Sequence, residues 1–496
     1  MKKIIFPILF LLSVVFIFSS CKKDFFTTSP SGSLTDDQVY SSTTNIDALV
    51  NGTMRYLMES ATSQDNPGYG AILLVQEAMG SDAVLRDGVY GYYASYSFTD
   101  PFDNTTRRSL FFWTLQYKVI DNCNNIIAKV DDASGLDTDK KYLKGQALAL
   151  RGFVYLNLIR QYQFTYAKDK TAKGVPLYTE PTSPESQPKP RATVEEVYSQ
   201  ITADLTEAET LLEGYKRPTK DRPDQSVVRG LLARTYLTME NWGEAAKYAA
   251  LARLSYPIMS AAEYLGGFND VSNVEWIWGH PQTSTQNLGG ASFFAYIDVT
   301  PATGYRSFMA DPNFEKLFDE NDIRKTLFNP VTDTTNTLLG WLKYTKFVNK
   351  PDKSADIPLM RSSEMALIEA ESEARLGRLT EAINVLNQLR ANRNLADLNT
   401  GNYTQKALVE EILLERRREL WGEGFQLPDI LRLQRPVVRK ASTEVLQIQQ
   451  ANGAIKTISL KGHLQLNFPD KSNFVANSPY YLFSIPINEI NNNPLL

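Results

Sequence analysis

Between Val228 and Pro257 the sequence admits one shape, a pair of closely packed antiparallel helices. Leu232, Ala233, Tyr236, Ala245, Ala249, Ala252 and Pro257 fall on the offsets of the tetratricopeptide repeat. The small residues let two helices approach, while Leu232 and Tyr236 fill the space between them. Arg229 stands where that repeat usually carries tryptophan, and Ala249 replaces its large aromatic. A fainter copy follows at Ala366, Ala370, Gly377, Ala382, Leu386 and Leu389. A repeat unit cannot bury its apolar face alone, so two copies predict a stacked helical scaffold.

Other segments read as helix on the same grounds. In 109–130 the residues Phe112, Leu115, Val119, Asn122 and Ile126 recur at three- and four-residue spacing. In 139–162 Leu143, Ala147, Leu150, Val154, Leu158 and Tyr162 do so. Thr193 followed by Glu196 predicts a capping box that opens the next helix. Glu411 and Glu415 are placed to pair with Arg418 on a further helix. Between these blocks Pro176, Pro181, Pro184, Pro188 and Pro190 demand a loop. The core is expected to hold Tyr155, Tyr198 and Tyr236 from the helices, and Trp276 and Trp278 from a short strand.

The N-terminus reads as an export signal. Lys2 and Lys3 precede an apolar run from Ile4 to Phe18, then Ser19, Ser20 and Cys21. The run is short for a membrane span and fits a secretory h-region. Cys21 directly after the small pair resembles a bacterial lipoprotein signal, which implies lipidation of its thiol. An ordinary secretory cut near Ser20 is the alternative. Apart from Cys21, Cys123 is the only cysteine, so an intrachain disulfide in the processed chain is excluded and Cys123 reads as a buried core thiol. A formal net charge of -4 with no extended basic face argues against nucleic acid as a partner. With two histidines in the chain, a histidine-rich metal site is implausible. His280 reads as a loop residue bonded to local backbone. The acidic stretch 319–324 reads as a helix end rather than a calcium loop. No metal or cofactor is expected.

Two stretches depart from the helical pattern, and both are rich in aromatic residues. Residues 88–98, GVYGYYASYSF, carry five aromatic side chains. Read as a strand, they put Tyr90, Tyr92, Tyr96 and Phe98 on one side and Tyr93 on the other. Tyrosine suits a half-wet surface, because it offers an apolar ring and a hydroxyl that wants a partner. We therefore expect Tyr90, Tyr92, Tyr93 and Tyr96 to form an exposed binding strip, with Arg86 and Asp87 supplying directed bonds. A buried aromatic core is the competing reading. In the second stretch, within 257–358, Phe293, Phe294, Tyr296, Tyr305 and Arg306 are second-rank candidates.

Taken together, these segments resemble the SusD/RagB family of outer-membrane lipoproteins. The resemblance rests on LALRGFVYLNLIRQY at 148–162, PRATVEEVYSQITADLTEAETLL at 190–212 and RGLLARTYLTMENWGEAAKYA at 229–249. It extends through NVEWIW at 273–278, EILLERRRELWGEGFQLPDILR at 411–432 and SIPINEINNNPLL at 484–496. Leu427 and Pro428 depart from it, standing where the family usually carries an aromatic residue. The resemblance implies a mainly α, SusD-like fold: a tetratricopeptide-type scaffold bearing an irregular, loop-rich, partly β ligand-binding region. The expected layout is a lipoprotein signal peptide over 1–20, lipidated Cys21 and a tether over 21–38, and one domain over 39–496. Helical repeats would occupy about 105–257 and 356–432, and loop-rich variable regions about 60–105 and 258–355. It also implies a surface-exposed, lipid-anchored, non-catalytic protein that captures a nutrient, usually a glycan and in some members a peptide. Such a protein acts as the lid of a SusC-like TonB-dependent transporter in the outer membrane.

Two other classes remain open on the residues alone. A surface glycosidase needs two carboxylates at a set separation, and 56 acidic residues supply ample candidates. Against it, the sequence lacks a G-x-S-x-G elbow and an H-E-x-x-H pair. A lipid-anchored assembly scaffold fits the helices equally well, but it gives no role to an aromatic strip.

Overall fold

The computed structural model describes residues 36–300, 304–449 and 453–496. The expected signal peptide and Cys21 lie outside the described residues. So does most of the tether, whose last positions enter a short helix, Asp36–Val39.

The fold is mainly α, and its helices begin where the sequence supplies caps. Thr106 accepts a hydrogen bond from the Ser109 amide at the start of helix Arg107–Lys129. Thr193 and Glu196 form the reciprocal capping box of helix Val194–Leu211. Asp224 and Asn241 cap Gln225–Thr238 and Trp242–Arg253. Packing runs in sequence order: Arg107–Lys129 against Asp137–Tyr162, then Val194–Leu211, Gln225–Thr238 and Trp242–Arg253. Arg229, at the position usual for tryptophan, pairs with Glu209 at 2.7 Å.

The array does not stop at Pro257. Trp242–Arg253 packs on Ser362–Arg375, which continues into Leu379–Ala391 and Gln405–Leu420. Arg234–Glu364 at 2.6 Å and Arg253–Glu369 at 2.7 Å bind the two halves. The intervening hundred residues are looped out. Strand Trp276–His280 pairs antiparallel with Ile357–Arg361, bringing the two ends of the excursion side by side. Trp276 and Trp278 are buried there, as expected, and so are Tyr155 and Tyr198; Tyr236 is half-buried. Cys123 is also buried, and burial pushes its thiol up to about 12. Among the described residues the five sheets are all two-stranded.

Two local expectations need correction. His280 is not in a loop but in the buried strand, where its Nε2 lies 3.2 Å from Glu59 Oε1. Pro176 is not in the loop but ends strand Lys173–Pro176, which pairs with Arg191–Thr193; the loop-rich stretch 60–105 also holds a buried helix, Gly68–Ala78. Residues 319–324 do hold a helix end: Asp322 caps a short 3-10 helix, Ile323–Leu327, and is bound to Arg324.

Candidate functional site

The expected tyrosine strand does not form. Gly88 and Gly91 adopt φ of 69° and 126°, turning the chain twice, and Tyr93–Tyr96 then coils into one helical turn. Period-two alternation requires an extended chain, so the predicted sidedness is lost. Tyr92 and Tyr96 each retain 1 % exposure and belong to the core, whereas Tyr90 keeps 42 %. Tyr93 is half-buried and Asp87 is exposed. Phe293, Phe294 and Tyr296 are likewise buried, because Ser292 caps a short helix that directs them inward. The expectation of an exposed surface is therefore corrected for Tyr92, Tyr96, Phe293, Phe294 and Tyr296.

The two aromatic stretches nevertheless converge. Strand Ala83–Leu85 pairs antiparallel with Phe308–Ala310, aligning Leu85 with Phe308. This places the Tyr90 ring 5.8 Å from that of Tyr305. Tyr305 is stacked on buried Tyr296 at 4.5 Å and 7°, and Tyr92 meets Tyr296 edge-on at 4.9 Å. The buried rings thus form a floor beneath two that reach solvent. Gly91 is required for this approach: a Cβ there would lie 2.7 Å from Tyr296 Cε1, in a backbone conformation that L side chains avoid. Gly91→Ala is expected to cost about 1–3 kcal/mol, read from the urea midpoint.

Polar groups surround the pair and hold it in place. Asp65 accepts from the Tyr90 hydroxyl at 3.0 Å and from Arg107 at 2.8 Å. Arg107 also donates to the Tyr90 oxygen at 3.0 Å. Burial opposes ionisation of Asp65, but Arg108 and these donors hold its carboxyl below the usual range. The Tyr305 hydroxyl donates to Gln64 at 2.5 Å. Arg86 donates to the carbonyls of Tyr305 and Arg306 at 3.2 and 3.3 Å, fixing a backbone that carries φ of 48° at Arg306. Burial and the neighbouring Arg306 lower the Arg86 pKa. Arg306 itself retains a buried Nε without a partner.

Of the sequence candidates, Arg86, Tyr90, Tyr305 and Arg306 come together at this platform, with Tyr92 and Tyr296 beneath it. Tyr96 lies apart, its hydroxyl 2.7 Å from His463 Nδ1 and its ring under the Arg439 guanidinium at 4.0 Å. Phe293 and Phe294 pack on Phe347. Gln64, Asp65 and Arg107 were missed. No local pattern marks them, since Asp65 reaches Tyr90 across 25 residues.

Comparison with known proteins matches this architecture. Residues 32–237 fit a family profile described as starch-binding associating with outer membrane, and residues 319–496 fit one described as SusD family. A SusD-like carbohydrate binding protein of Bacteroides vulgatus shares 40 % identity at a TM-score of 0.85, over 92 % of this chain and 97 % of its own. The chain belongs to the SusD/RagB family. A SusD-like protein, P38, of Formosa agariphila is 26 % identical over 66 % of this chain and 72 % of its own. A SusD superfamily protein of Bacteroides thetaiotaomicron has the same fold, with a TM-score of 0.77 at 23 % identity, over 92 % of this chain and 98 % of its own. SusD proteins are in general nutrient- and glycan-binding proteins rather than enzymes, and they are associated with the outer membrane. Among the described residues no helix is long and apolar enough to cross a membrane, and no cluster of metal-ligating side chains occurs.

Proposed function

We propose that this protein captures an oligosaccharide or polysaccharide at the cell surface and delivers it to a SusC-like TonB-dependent transporter. It acts as a lipid-anchored lid, attached to the outer membrane through Cys21, and does not cleave its ligand. The observation that carries the reading is the solvent-facing Tyr90–Tyr305 pair held by Asp65, Arg107 and Gln64. Sugar rings have apolar C–H faces that lie flat on aromatic rings, while neighbouring polar groups take the hydroxyls. Because the rings are already fixed, little ordering entropy opposes binding. The carbohydrate-binding description of the Bacteroides vulgatus relative supports the same ligand class.

Tyr90→Ala and Tyr305→Ala are each expected to weaken glycan binding roughly 5- to 10-fold, about 1–1.4 kcal/mol, with the fold intact. Isothermal titration of both variants against the wild type tests this. Unchanged affinity in both would remove the platform from the account.

A further inference from the structure

A second concave site lies away from the platform, between three segments distant in sequence. It is a groove of about 530 Å³, within the size range of small-ligand sites. Helix Arg107–Lys129 supplies Trp113 and Tyr117, the proline-rich loop supplies Tyr178, and the terminal helix Ile487–Asn492 supplies Glu489. The Trp113 and Tyr117 rings lie 4.6 Å apart, and Tyr178 stands edge-on to Tyr117 at 6.0 Å and 85°.

The groove is held rigid from behind. Tyr117 donates to the Pro176 carbonyl at 2.9 Å, and the Tyr178 hydroxyl accepts from the Lys189 amide at 3.1 Å. Asn124 donates to the carbonyls of Tyr178 and Glu180, both at 3.0 Å. Asn493 clamps the Lys189 carbonyl at 2.9 Å. These bonds fix the loop that follows strand Lys173–Pro176 and carries Pro181, Pro184, Pro188 and Pro190.

Two polar groups of the lining, by contrast, are unspent. Among the described residues, the Glu489 carboxylate and the Thr114 hydroxyl have no hydrogen-bond or ion-pair partner, although both line the groove. Trp113 is 4 % exposed, and its indole N–H, which makes no hydrogen bond within the protein, keeps access to solvent. Charge in the lining is nearly balanced: Lys118 sits 3.4 Å from Asp121, which leaves Glu489 as its one unpaired charge. A strongly charged ligand has no counter-cluster to meet. Rings for apolar faces, with one free donor and one free carboxylate, fit an uncharged polyhydroxylated molecule.

We infer that this groove is a second carbohydrate site, taking a short neutral oligosaccharide independently of the Tyr90–Tyr305 platform. The test uses the full chain, with maltotriose, cellotriose, xylotriose and laminaritriose as probes in calorimetric titration. At least one probe is expected to bind a Tyr90→Ala/Tyr305→Ala double variant. Thr114→Trp, which fills the groove from an exposed helical position, is expected to weaken that binding at least tenfold with unchanged circular dichroism. Tyr178→Ala should weaken it as well. Failure of the double variant to bind any of the four probes would overturn the groove; if the wild type still bound one, the platform would stand. Binding by the double variant that persisted in Thr114→Trp would also overturn it. Wild-type affinity in the double variant, abolished by Thr114→Trp, would uphold the groove and remove the platform.

Discussion

Replacing Glu419 with alanine is expected to lower stability by about 3–5 kcal/mol, the penalty for stranding buried charges. Glu419 is fully buried at the end of helix Gln405–Leu420, and three guanidiniums converge on it. Arg361 approaches at 2.7 Å, Arg324 at 2.8 Å and Arg393 at 2.9 Å. Burial disfavours its charge, but these three cations hold the carboxyl far below the usual range. The cations come from different parts of the chain. Arg324 belongs to the looped-out excursion, Arg361 to the strand that closes it, and Arg393 to the turn after Leu379–Ala391. Removing the shared anion leaves all three facing one another in the core. Arg361 keeps Glu275 and Glu423, and Arg324 keeps Asp322 and Glu415, so collapse is not complete. Urea unfolding followed by circular dichroism measures the effect. A loss below about 1 kcal/mol would mean that the network is screened by water and does not bind the excursion to the repeats.

Glu77 produces the opposite result, because its charge has no partner. It is fully buried in helix Gly68–Ala78, and both carboxylate oxygens lack a formed hydrogen bond. Burial pushes its pKa up to about 8, with the backbone at Gly422 and Gly424 compensating only in part. A carboxyl raised in the folded state favours folding while protonated, and that advantage is lost as pH rises from about 4.5 towards 8. At about 1.4 kcal/mol per unit, the span sets an upper bound near 5 kcal/mol. Glu77→Gln is therefore expected to flatten the stability profile over that window and to be the more stable form at pH 8. Denaturant titrations of both proteins at pH 5, 7 and 8.5 check this. Parallel profiles would show that Glu77 is ionised and solvated at neutral pH.

The helical scaffold was legible because its determinants are local. Thr193 and Glu196 are three residues apart, and Leu232 with Tyr236 recur at helical spacing. The candidate site was legible only in part. Both aromatic stretches stood out as non-helical, but the sidedness of residues 88–98 depended on Gly88 and Gly91 turning the chain. A glycine can extend a strand or reverse it, and tertiary contacts decide which. The partners Asp65, Arg107 and Gln64 were invisible for a related reason. Asp65 and Arg107 reach Tyr90 across 25 and 17 residues, and Gln64 reaches Tyr305 across 241. His280 failed in the same way, since its strand exists only through Ile357–Arg361.

The central claim is that the protein holds a glycan without cutting it. It is tested most directly by electrophoresis of the folded chain through native gels containing single polysaccharides, with a reducing-sugar assay on the same mixtures. Retardation by at least one glycan with no release of reducing ends is the expected result. Mobility unchanged by every glycan, or release of reducing sugar by the purified protein, would contradict it.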